Sequence, residues 1–324
     1  MYKNQRIVIV VPCFNEEDAI ANVIETVPDF VDAIYVIDDV STDKSVENAM
    51  ATNDPRLEVI VHEMNSGVGR AIATGYKHAL EKGADIAVVM AGDGQMSPKD
   101  LENVVRPVAD GIVDYCKGNR FFHTKPLSTI PRHRLFGNVV LSALTKIVSG
   151  YWHVSDSQCG YTAINRAALE VINWDTLYPR YGCPNDILVR LNVAEMRVGE
   201  VAVEPVYAPN WSSKMRPMKV FGPILWLLAR QYVKRSLYRY AINNGHPLIF
   251  YLGVSAIVFS AFLLLSLYGL VTWAVTGVIP KVATFIAGFL AIIGTQLMLA
   301  AFSLDYEINR PLCIDLKQLP KSRR

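Results

Sequence analysis

No two cysteines in this chain are spaced as CxxC, and its six histidines fall into no zinc-ligand pattern. The five cysteines (Cys13, Cys116, Cys159, Cys183 and Cys313) therefore read as reduced thiols, not as a disulfide framework or a structural zinc site. A glycine fingerprint is also missing: PCFNEE follows the first strand-like run where a dinucleotide fold needs G-x-G-x-x-G, and no GxxxxGK[ST] loop occurs. The G-x-G in NSGVGR, residues 65–70, follows the third strand-like run and lacks the final glycine. These absences exclude a nicotinamide-dinucleotide domain and a P-loop nucleotidase. Nucleic acid is not an expected partner, because the net charge is only +2 and no long basic run precedes the C-terminus. RIVIVVP begins at once, too early and too short for a signal peptide.

Charge is absent from two long stretches. Residues 248–275 and 282–304 contain no Asp, Glu, Lys or Arg, and they carry most of an excess seen in the 51% hydrophobic content and mean hydropathy of +0.22. At about 1.5 Å per residue, each run is long enough for a helix to cross a hydrocarbon layer of about 30 Å. The sequence predicts two transmembrane helices within residues 247–305, joined by a linker with Gly277 and Pro280. Lys214, Arg216, Lys219, Arg230, Lys234, Arg235 and Arg239 precede the first run, and Arg310, Lys317, Lys321, Arg323 and Arg324 follow the second, whereas the linker region has only Lys281. The positive-inside rule then expects residues 1–215 and the basic tail 306–324 in the cytoplasm. Residues 216–246 mix Trp226, Leu227, Leu228, Tyr232 and Leu237 with cations, as a helix in the membrane interface or one packed on the soluble domain would. Gly288 and Gly294 are candidate contacts for a homo-oligomer assembled through the spans.

Ahead of these spans, apolar runs at 7–11, 33–37, 57–61 and 86–90 alternate with helix-like stretches at 16–27, 42–51 and 70–82. A further strand-like run is read at 111–116. Such alternation predicts an α/β domain with a mainly parallel sheet flanked by helices. Ligands bind beyond the C-terminal strand ends in such sheets. PCFNEE, DDVSTD and AGDGQ all fall at that edge.

Taken in order, these segments resemble glycosyltransferase family 2 with its GT-A fold, and in particular the polyprenyl-phosphate glycosyltransferases. VPCFNEE is similar to the family's P-x-Y-N-E, VIDDVSTD to V-D-D-G-S-x-D, NSGVGRA to N-x-G-x-G-x-A, and SSKM to the S-K-M near the end of the catalytic domain. The resemblance implies a nucleotide-sugar donor bound by Pro12, Phe14, Glu16, Asp39 and Asp93, with Lys214 reaching its diphosphate. It also implies a divalent cation, Mg²⁺ or Mn²⁺, at AGDGQ. Asp93 and Gln95 match the metal motif there, but Ala91 replaces its first aspartate, which weakens the expectation. Asp38 reads either as a nucleotide contact or as part of a helix cap.

The implied acceptor is a polyprenyl phosphate, undecaprenyl or dolichyl, and the implied product an inverted sugar-phosphate lipid. Arg120 in GNRFF and Arg134 match family arginines suited to phosphate. Asp156 in DSQCGY resembles an acceptor-side aspartate, and Asp186 is a base candidate that the N-terminus of a helix also favours. Arg216 or Arg190 is read as a substitute for an arginine that relatives carry before SSKM. Two other readings remain at this level. A processive polysaccharide synthase lacks its Q-x-x-R-W signature here, and a catalytically weak sugar-nucleotide scaffold is supported only by Ala91.

Overall fold

The computed structural model describes residues 2–122, 132–204, 206, 217–243 and 245–317, without the side chains of 132–139, 217–221 and 243. The chain divides into two compact units, Met1–Tyr232 with Pro311–Arg324, and Val233–Arg310.

The first unit is built on strands β1 (Ile7–Cys13), β2 (Ala33–Asp38), β3 (Leu57–Val61), β4 (Ile86–Val89), β5 (Tyr115–Asn119), β6 (Thr162–Asn165), β7 (Val198–Ala202) and β8 (Cys313–Ile314). They form one sheet in the order β3-β2-β1-β4-β6-β5-β7-β8. Every pairing is parallel except those of β6, which runs antiparallel to β4 and β5. Reversing one strand between β4 and β5 leaves those two parallel to each other, so β1, β2, β4 and β5 all end on the same edge.

β1 is IVIVVPC, buried along its whole length, as expected of a strand covered on both faces. Val8 and Val10 belong to one core cluster, whereas Ile7, Ile9 and Val11 belong to the other. Helices α1 (Ile20–Glu25), α2 (Ser45–Ala51), α3 (Val68–Glu81) and α4 (Leu101–Ala109) fill the early crossovers. α3 approaches β1 so closely that a Cβ on Gly75 would lie 2.2 Å from Val10 Cγ1. Farther along come α5 (Arg132–Ser149), α6 (Arg166–Val171), α7 (Cys183–Val193) and α8 (Pro217–Arg235). Val148 of α5, Val189 of α7, and Ile224 and Leu228 of α8 form a small separate core.

The strand read at 111–116 begins later than expected. The amides of Ile112 and Val113 bond the Pro107 carbonyl at 3.0 and 3.2 Å in the turn leaving α4. β5 is therefore shifted onto Lys117 and Asn119, two polar residues that hid it.

The second unit contains a π-helical segment, Ser236–Asn243, followed by α9 (Leu248–Thr276) and α10 (Lys281–Asn309). The helix read within residues 216–246 thus changes its winding at Ser236. Both α9 and α10 are long and apolar enough to cross a membrane. They pack through Gly294, whose carbonyl accepts from Ser255 Oγ at 3.1 Å and whose added Cβ would meet Val258 and Phe259 at 3.3 Å. Gly294 thereby serves contact inside the hairpin, while Gly288 has nothing within 4 Å of an added Cβ. At the open end of the hairpin, away from its linker, Arg235 and Asp305 pair at 3.0 Å, both almost completely buried. Tyr240 Oη donates to Asp305 at 2.5 Å, and Asn309 Nδ2 donates to Tyr240 Oη at 2.9 Å.

Candidate active site

β1 and β2 end side by side, with Pro12 opposite Ile37 and Cys13 opposite Asp38. Their two loops are then stitched together. Asn15 N donates to Ser41 Oγ at 2.9 Å, Thr42 N to Asn15 Oδ1 at 2.8 Å, and Glu16 N to Ser45 Oγ at 2.7 Å. Pro12 sits in the strand, while Phe14 is 40% exposed beyond it. Asp38 accepts from Ser41 N at 3.0 Å and Ser41 Oγ at 2.5 Å, so it closes the turn. It caps no helix, since α2 starts after Lys44. Val40, between them, adopts φ +66°, a left-handed conformation that costs a β-branched residue dearly.

Asp39 is buried, and its carboxylate accepts from Ser66 N at 2.8 Å and Gly67 N at 2.7 Å. His62 Nδ1 lies 2.9 Å from the same carboxylate, and His62 Nε2 lies 3.0 Å from Thr74 Oγ1. Asp39 therefore orders the NSGVG turn. His62 was not singled out in the sequence, because a lone histidine after a strand carries no pattern. The glycines of that turn have a packing reason. A Cβ on Gly67 would stand 2.4 Å from the Pro179 carbonyl oxygen, and one on Gly69 would stand 2.1 Å from that of Tyr178.

β4 delivers AGDGQ next to β1, where Gly92 N bonds the Pro12 carbonyl at 3.2 Å. Asp93 accepts from Gln95 N at 3.1 Å and from Gln95 Nε2 at 2.6 Å. The two candidate metal ligands are thus in direct contact, and the methyl of Ala91 offers no oxygen beside them. Among the described residues no group of three or more His, Cys, Asp and Glu is placed to hold a metal ion.

At the end of β5, Arg120 grips Asp156 through two parallel bonds, and Asp156 is almost completely buried. Burial alone would raise the Asp156 carboxyl, but the Arg120 guanidinium outweighs it and holds that group below the usual carboxylate range. Asp186, in the first turn of α7, is equally buried. Its Oδ2 accepts from Tyr178 N at 2.8 Å and pairs with Arg190 at 3.1 Å, while Gln231 of α8 donates to Oδ1. Gln231 is a second residue that the sequence reading missed. Arg190 also donates to the carbonyls of Asn173 and Thr176, so it is engaged within this corner. Arg134 lies in α5, but its side chain is outside the described residues, as are Lys214 and Arg216 altogether.

Residues 8–172 match the family model for glycosyl transferase family 2. The chain belongs to that family. It is a glycosyltransferase, with the ordered motifs of the family along the C-terminal edge of its sheet. Among curated relatives, it is 32% identical over 240 residues to the UDP-N-acetylglucosamine–dolichyl-phosphate N-acetylglucosaminyltransferase of Methanococcus voltae, covering 68% of this chain and 95% of the relative. It is 26% identical over 215 residues to the undecaprenyl-phosphate mannosyltransferase of Micrococcus luteus, covering 65% and 87%. Glucosyl-3-phosphoglycerate synthase from Mycobacterium tuberculosis, solved with Mn²⁺, uridine diphosphate and phosphoglyceric acid, shares the fold. Its TM-score is 0.55 at 20% identity, over 72% of this chain and 78% of that one.

Proposed function

We propose that this glycosyltransferase moves a sugar from a UDP- or GDP-linked donor to the phosphate of a polyprenyl lipid at the cytoplasmic face of a membrane. The observation that carries the reading is the similarity along 95% of a relative named for transfer to dolichyl phosphate. Two helices able to cross a bilayer support it, because they keep the catalytic unit beside a lipid acceptor. α8 supports it too. Leu225 and Trp226 are exposed on it, as is the cation Arg230, a composition suited to the headgroup region. The acceptor is undecaprenyl or dolichyl phosphate.

In this reading, an oxygen of the lipid phosphate attacks the anomeric carbon from the side opposite the nucleotide. The bond from that carbon to the β-phosphate oxygen breaks, the nucleoside diphosphate leaves, and the configuration inverts. A phosphate monoester has a second pKa near about 6 and is largely ionised at neutral pH, so no general base is needed. Asp186, with both oxygens engaged, then aligns α7 and α8 and is not required to accept a proton. Arg120, oriented by Asp156, stabilises phosphate charge at the reacting end, and Arg134 meets the lipid phosphate. Pro12, Phe14 and Glu16 line the nucleotide, Asp39 shapes the turn beside it, and Lys214 reaches the diphosphate.

In this reading the Asp93 carboxylate and the Gln95 amide oxygen would hold a divalent cation, in exchange for the bond that Gln95 Nε2 now donates to Asp93. With Ala91 beside them, water and the donor's diphosphate would supply the remaining oxygens. Mg²⁺ or Mn²⁺ held there would neutralise charge on the leaving group.

Purified protein in detergent micelles, given radiolabelled UDP- and GDP-sugars with each polyprenyl phosphate, tests the proposal. Label in the lipid phase is expected with one donor. No lipid-linked label with any common donor would overturn it, and a polymeric product would favour a processive synthase instead.

A further inference from the structure

Two charged side chains that the reaction does not use are buried beneath Asp156. Lys117 of β5 is completely buried, and its ammonium donates to the Cys159 carbonyl. Glu200 of β7, its register partner in the sheet, is 4% exposed. The Glu200 carboxylate accepts from Ser155 N at 3.0 Å and Asp156 N at 3.1 Å. It also accepts from Asn119 Nδ2 at 2.7 Å. Asn119 in turn accepts from Phe121 N at 2.8 Å, the residue after Arg120. One carboxylate–amide pair thus reaches both backbones that carry the Arg120–Asp156 fork, and Lys117 pins the far end of the Asp156 loop.

Interior strand positions normally hold apolar residues, and an isolated buried charge is costly. Here the formal charges of Lys117, Arg120, Asp156 and Glu200 sum to zero, so the group is tolerated only as a set. A packing role alone would be met by uncharged side chains, as it is at Val198 and Tyr115 on the same two strands. We infer that Lys117, Asn119 and Glu200 are positioning residues for the transfer site, a buried ionic pedestal that fixes the Asp156 loop in place for its fork with Arg120. The groups facing this cluster are those four charges and the buried thiols of Cys116, Cys159 and, from α7, Cys183.

The inference rests on the transferase reading for its kinetic arm and is independent of it in a structural arm. The variants are Lys117→Met, Glu200→Gln and the two combined, all close in shape to the native side chains. Each single variant is expected to lower kcat by about a hundredfold, the scale of misplacing a reacting group by an ångström, with little change in donor KM. Removing the Lys117 cation leaves a net negative cluster and raises its carboxyl pKa values. The acidic limb of the kcat profile of Lys117→Met therefore moves to higher pH, and that of Glu200→Gln does not. The double variant restores neutrality, so its loss is smaller than the product of the two single losses.

In the structural arm, hydrogen exchange of the 154–161 segment quickens in Glu200→Gln while β1, β2 and β4 keep their protection. If wild type transfers no sugar, the reading of function fails and exchange still decides the inference. Wild-type activity with unchanged kcat and unchanged pH limbs in both folded single variants overturns the inference, as does unchanged exchange in the loop.

Discussion

Arg120 Nε lies 2.7 Å from Asp156 Oδ2 and Arg120 Nη2 lies 3.0 Å from Oδ1, a planar fork closed across 36 residues of sequence. A lysine has the charge but not the fork. Arg120→Lys is therefore expected to fold and to lose about two orders of magnitude in kcat, the scale set by a misplaced catalytic group. Asp156→Asn should lose comparable activity, since its amide nitrogen faces a guanidinium. Steady-state transfer assays on variants matched to wild type by circular dichroism check both.

Val40 holds a backbone conformation, φ +66°, that suits glycine, the residue the family's V-D-D-G-S pattern has there. Replacing Val40 by Gly should relieve steric strain on the order of 1–2 kcal/mol, partly offset by the entropy of a freer unfolded chain. The net expectation is a melting temperature raised by a degree or more with activity retained. A thermal melt in detergent measures it; a lowered melting temperature would show that packing of the valine side chain outweighs its backbone cost.

A carboxylate added at Ala91 supplies the oxygen that the Asp93–Gln95 site lacks. Ala91→Asp should tighten Mn²⁺ binding by about tenfold or more when UDP or GDP is present, because hard cations gain most from anionic oxygen. Calorimetric titration of metal into the nucleotide-bound protein reads this directly. Unchanged affinity would count against a cation at this position.

Within the hairpin unit, Asp305 is the buried partner of Arg235. Asp305→Ala leaves a buried guanidinium without its counter-ion and should destabilise this unit by about 3–5 kcal/mol. Arg235→Met combined with Asp305→Leu removes both charges and should recover most of that loss. Resistance to heat and to protease in detergent compares the three proteins.

His153 is partly buried against Tyr151, and burial pushes its pKa down to about 4 from 6.5. The unfolded chain therefore takes up the proton first as pH falls. Stability associated with neutral His153 is fully present above pH 6.5 and is lost as pH falls toward 4. His153→Leu should flatten the stability–pH curve in that window, as followed by denaturant midpoints at several pH values.

Much of this could be read from residues alone, and the exceptions have physical reasons. β1, β2 and β4 are continuous apolar runs covered on both faces, so their existence was visible to within two residues. β6 (TAIN) and β7 (VGEVA) are short and carry Asn165, Gly199 and Glu200, which mask the pattern of a buried strand. The motif order along the sheet edge was equally visible. Partner choice was not: Gln231 meets Asp186 across 45 positions, and His62 meets Asp39 across a strand. Such pairings are set by tertiary packing and leave no local spacing to detect.

β8 pairs with β7 at Val198–Cys313 and Gly199–Ile314, so the chain returns to the sheet only after both hairpin helices have been made. The hairpin is thus an insertion inside the catalytic domain and not an appendage behind it. During synthesis, the outer edge of β7 stays uncovered until residue 314 has been made, after both α9 and α10. A soluble enzyme would accordingly be sought by excising residues 233–310 and rejoining the chain. Truncation before the hairpin would discard the strand that finishes the sheet.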